Sequence, residues 1–69
     1  MKIKLNVFSD VKEFIEISSN VLGDVTLKQG RYVINGKSLM GIFSLDLSKE
    51  VELITDEYDV EAFKKFIVE

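Results

Sequence analysis

The hydrophobic period of this chain switches repeatedly between two residues and about 3.6, and that switching restricts its fold more than any other feature. Ile3, Leu5 and Val7 alternate with Lys2, Lys4 and Asn6, the pattern of a strand with one wet face. From there the spacing lengthens, and Val11, Phe14, Ile15, Ser18, Val21 and Leu22 fall on one helical stripe that leaves Lys12, Glu13 and Glu16 outside. Ser9 or Asp10 offers an oxygen for the helix start, Asp10 and Glu13 have capping-box spacing, and Gly23 stands where a left-handed C-terminal residue is favoured. Alternation returns at Val25 and Leu27. Gln29-Gly30 then supplies a turn, Arg31-Tyr32-Val33-Ile34 forms the second arm of a hairpin, and Asn35-Gly36 closes it.

Ser38 can cap a brief helix through Leu39, Met40, Ile42 and Phe43, which Gly41 weakens. A helix this short has one inner face. Ile42 and Leu45 are expected inward, and Leu39, Met40 and Phe43 at least partly outward. Val51, Leu53 and Thr55 alternate with Glu52 and Ile54 as a fourth strand, and Asp56 or Asp59 opens a last helix whose inner face is Val60, Phe63, Phe66 and Ile67. The element order is therefore β-α-β-β-α-β-α, an α+β protein. A helix between the first two strands acts as a crossover, so those strands can run parallel with another between them. Alternating strand faces favour a single sheet with its helices on one side. At 69 residues, the chain is read as one domain over 1–69.

Composition removes several kinds of chemistry. There is no cysteine, which excludes disulfides and thiolate nucleophiles, and no histidine, the commonest acid/base group near neutral pH and a common metal ligand. Net charge is −3 with no basic stripe, so no direct nucleic-acid partner is expected, and neither a membrane span nor a signal peptide is legible. No metal or cofactor is expected. Gly36-Lys37-Ser38 echoes the end of a phosphate-binding loop, but Arg31 stands where that motif needs glycine. Asp56, Glu57, Asp59 and Glu61 read as acids favouring a helix start, not as a catalytic group.

The segment Asn35-Gly36-Lys37-Ser38-Leu39-Met40-Gly41-Ile42-Phe43-Ser44-Leu45 resembles the regulatory-serine segment of the histidine-containing phosphocarrier (HPr) family, and Asp24-Val25-Thr26-Leu27 resembles its second strand. With the element order, the resemblance spans about residues 11–67. It implies an open-faced sandwich with a four-stranded antiparallel sheet, order 1-4-2-3, and three helices on one face. The family's histidine-alanine-arginine-proline segment is replaced by Val7-Phe8-Ser9-Asp10-Val11, so phosphate cannot be carried on an imidazole. What remains is regulatory. The resemblance implies phosphorylation of Ser38 by an ATP-dependent kinase/phosphorylase, with Lys37, Leu39, Met40 and Phe43 meeting protein partners such as a catabolite-control transcription factor. It implies a non-enzymatic cytoplasmic protein, and the exposed apolar patch makes a homodimer an expectation as well. Two alternatives stand beside this reading: a constitutive interaction subunit without phosphorylation, and a carrier using the Asp10 carboxylate. Lys37 and Arg31 are candidates for holding an anion near Ser38.

Overall fold

A computed structural model describes residues 1–68. Its centre is the antiparallel pair β2 (Val25–Gln29) and β4 (Val51–Thr55), in which Leu27 lies opposite Leu53. β1 (Lys2–Ile3) joins the outer side of β4 and β3 (Tyr32–Asn35) joins β2, giving the order β1-β4-β2-β3 with antiparallel neighbours throughout. β1 and β2 thus run parallel with β4 between them, as the crossover requires. The β2–β3 connection has two residues, and Gly30 opens it at φ +57°, a left-handed value that costs glycine nothing.

Alternation along the strands sends Ile3, Val25, Leu27, Val51 and Leu53 to one face and leaves Lys28, Glu52 and Ile54 exposed on the other. The buried face is covered by helix α1 (Phe8–Asn20), the short helix α2 (Leu39–Phe43) and a 3₁₀ helix over Val60–Phe66. Val11 and Phe14 of α1, Ile42 of α2, and Leu5, Val21, Leu45, Phe63 and Phe66 complete the core. Phe14 lies at its centre, its ring 5.0 Å from Phe63 and edge-on to Phe66 at 5.7 Å. No described helix is long and apolar enough to cross a membrane.

Four local expectations need correction. β1 is only two residues long, because the Lys4 N–H donates to the Phe66 carbonyl (2.9 Å) and the chain leaves β4. Leu5 stays buried, whereas Val7 turns outward as the N-cap of α1. The Asp10–Glu13 capping box does not form: Asp10 sits in the first turn and accepts from the Asn6 N–H (2.9 Å), and Glu13 pairs with Lys65 (2.6 Å). At the other end α1 stops at Asn20. Val21 is extended, Gly23 is not left-handed, and Leu22 is fully exposed instead of continuing the stripe. The last helix is 3₁₀, a form that stacks Val60, Phe63 and Phe66, three residues apart, on one face. Ile67 lies beyond it and bridges to Ile3.

Candidate interaction site around Ser38

The turn before α2 is built by hydrogen bonds that leave Ser38 in one orientation. Gly36 donates its N–H to the Val25 carbonyl at 2.7 Å, and a Cβ at that position would lie 2.6 Å from Val25 Cγ1. The Asn35 side chain then accepts from the Lys37 N–H (2.9 Å) and the Asn35 carbonyl from the Ser38 N–H (3.0 Å), which turns the chain sharply. Ser38 is half-buried and extended at φ −103°, ψ 114°. Its Oγ accepts from the Gly41 N–H at 3.1 Å, so the cap read from the sequence is formed. Gly41 weakens the helix but lets it sit close: a Cβ there would meet Ser38 Oγ at 3.3 Å and Ile34 Cδ1 at 3.4 Å.

Ile42 and Leu45 point into the core, while Leu39 (40% exposed), Met40 (80%) and Phe43 (43%) face solvent. Leu39–Phe43 contains no charged residue, so the exposed face of α2 is apolar and uncharged. It extends further than the sequence indicated. The Phe8 ring stacks on Phe43 at 5.7 Å and 15° while remaining 61% exposed, which joins the first turn of α1 to the patch. Phe8 lies on neither the strand alternation nor the helical stripe. An aromatic residue outside both patterns was the available signal.

Lys37 and Arg31 are not brought together. The Lys37 ammonium donates to the Val21 carbonyl at 2.6 Å, beyond the end of α1, and Arg31 lies in the turn at the opposite end of β3 from Ser38. The pair does not form an anion cradle. Asp10 uses an oxygen on the Asn6 N–H, and no group of His, Cys, Asp or Glu able to hold a metal ion occurs among the described residues. What the arrangement offers is a helix-capping hydroxyl at the border of an aromatic and methionine-bearing surface. Such a surface suits adaptable contacts with protein.

No family model matches the chain, and no curated protein matches it in sequence. Among solved structures it is similar to Crh, a Bacillus subtilis catabolite repression protein whose crystal structure is an intertwined dimer with a swapped domain. The two share 31% sequence identity over 94% of this chain and 77% of Crh, with a TM-score of 0.65.

Proposed function

The chain belongs to the HPr family, and from that premise we propose that it is a regulatory member, without the phosphocarrier histidine, that selects protein partners through Ser38. The observation that carries this reading is the position of Ser38, capping α2 through Gly41 while the Leu39, Met40, Phe43 and Phe8 side chains spread exposed beside it. A phosphate on this hydroxyl adds about −1.5 to −2 charges. It would face the positive end of α2, so the helix remains folded while an uncharged patch gains an anionic border. Partners would be a serine kinase/phosphorylase and a transcriptional regulator presenting an apolar groove flanked by arginine or lysine. The whole 1–69 chain acts as one non-enzymatic, cytoplasmic domain in this account, without cofactor, and the dimeric state of Crh supports self-association. Lys37 contributes by fixing the turn to α1.

Intact-protein mass spectrometry after incubation with ATP and a serine kinase of the family tests the proposal. One added phosphate, missing from Ser38→Ala, is the expected result; an unmodified wild-type protein overturns it. A second reading is a constitutive interaction subunit, favoured by the Phe8–Phe43 stack, which presents the patch without involving Ser38. On that reading, Ser38→Ala and wild type bind partners equally.

A further inference from the structure

The two edges of the sheet are treated differently. β1 is covered by the end of the chain: Lys4 donates to the Phe66 carbonyl (2.9 Å), Val68 donates to the Lys2 carbonyl (3.0 Å), and Ile67 bridges Ile3. Among the described residues, β3 has no such cover. Its four residues, Tyr32–Asn35, include no proline and no charge, the usual protections of an edge, and Tyr32 and Val33 are 59% and 63% exposed.

Hydrogen-bond phase fixes which groups this edge offers. The Gly36 N–H bonds the Val25 carbonyl, so in the alternating ladder Leu27–Ile34 and Gln29–Tyr32 are the bonded pairs and Lys28–Val33 is not. The N–H and C=O of Val33 therefore point out of the sheet. Asn35 is already engaged, its carbonyl by Ser38 and its side chain by Lys37.

We propose that β3 pairs antiparallel with β3 of a second copy about a two-fold axis at Val33, joining two four-stranded sheets into one. Directly opposed residues share a sheet face, so the axis must pass through a residue and not between two. An axis at Val33 sets its outward amide and carbonyl against those of the other copy. One at Ile34 would set them against Asn35, whose carbonyl Ser38 already holds, and one at Tyr32 against the turn residue Arg31. That register sets Tyr32 against Ile34 of the second copy on the helix-bearing face, and Arg31 against Asn35 of the second copy on the open face. No like charges are opposed. The two Lys28 side chains stand three strand spacings apart, about 14 Å, beyond the screening length of about 8 Å at physiological salt. Glu52 neighbours each Lys28 in its own sheet. The edge is thus self-complementary in hydrogen bonding, face and charge. This pairing does not depend on the reading of Ser38.

A cysteine in place of Val33 would be the only thiol in the chain. Across a bonded pair its Cα atoms would be about 5.5 Å apart, within disulfide range. Under mild oxidation Val33→Cys is expected to cross-link at least tenfold faster than Ile54→Cys, which is exposed on the same face of β4. Sedimentation of the wild-type chain should show a reversible dimer at concentrations up to about 1 mM, the weak range of a small interface. Val33→Pro removes the outward N–H and leaves the β2 ladder intact. Loss of both symmetric bonds should weaken association about 30-fold. Val33→Lys, placing like charges on the axis, is the second variant should the proline disturb folding. A monomer at about 1 mM, equal cross-linking by both cysteines, or a dimer that survives a folded Val33 variant, as an exchanged-element dimer would, overturns the proposal.

Discussion

Replacing Ser38 by alanine removes the Gly41 N–H···Oγ bond of 3.1 Å and leaves that amide to water. Loss of a serine N-cap costs about 1 kcal/mol, within a range of roughly 0.5–2 kcal/mol. The unfolding entropy of a 69-residue domain, at about 2.1 cal/mol/K per residue, is about 0.145 kcal/mol/K, so 1 kcal/mol corresponds to a fall in Tm of about 7 °C. Ser38→Asp keeps an acceptor at the cap and adds a charge favourable to the helix start, so its stability should stay within about 0.5 kcal/mol of wild type. Thermal unfolding of the three proteins side by side, followed by circular dichroism, measures both differences. The comparison also matters for function: Ser38→Asp cannot be phosphorylated, yet it retains the local fold that Ser38→Ala weakens. An alanine variant within about 0.3 kcal/mol of wild type, or an aspartate variant as unstable as the alanine, would refute the assignment of Ser38 as the working cap.

Gly36→Ala forces a Cβ to within 2.6 Å of Val25 Cγ1 and 3.1 Å of the Val25 carbonyl, which the Gly36 N–H already bonds. Urea denaturation should show a loss of about 1–3 kcal/mol, and an unchanged midpoint would contradict the close approach. Asp46 accepts from the Ser48 hydroxyl (2.6 Å) and then from the Ser48 N–H (3.1 Å), which hold its pKa below the ordinary aspartate value. Because the folded pKa is depressed, its stabilising effect is present above the unfolded pKa and is lost as pH falls through the folded one. In a carboxyl NMR titration, Ser48→Ala should move Asp46 upward, and an unmoved midpoint would deny the hydroxyl its role. Phe8→Ala strips the exposed stack from Phe43 and should weaken partner binding about tenfold in titration calorimetry while costing about 1 kcal/mol or less of stability. Unaltered affinity would remove Phe8 from the surface.

The sheet was readable from the chain because its strands are half-wet. Val25 and Leu27, and Val51 and Leu53, alternate with exposed or half-exposed neighbours and line the core where the pattern places them. The split within α2 was readable for a related reason. A five-residue helix cannot bury every apolar side chain, and Ile42 was the one best placed beside Leu45. Boundaries were harder, since each is decided by partners distant in sequence. β1 ends where the Phe66 carbonyl captures Lys4, and Leu22 leaves the stripe because α1 has already ended at Asn20. Period alone could not separate a 3₁₀ from an α-helix at Val60, Phe63 and Phe66, because both bring residues three apart onto one side. The aromatic extension of the candidate site depends on tertiary contact between Phe8 and Phe43, 35 positions away. The placement of Lys37 on the Val21 carbonyl is equally non-local.

In the proposed function the charge state of Ser38 selects the partner. The most direct test of this selection is the affinity of a catabolite-control transcription factor for this chain with Ser38 phosphorylated and unmodified, measured by titration calorimetry on the same preparation. The phosphorylated form should bind at least tenfold more tightly, with the difference shrinking as salt screens the phosphate. Equal affinity of the two forms would contradict the account.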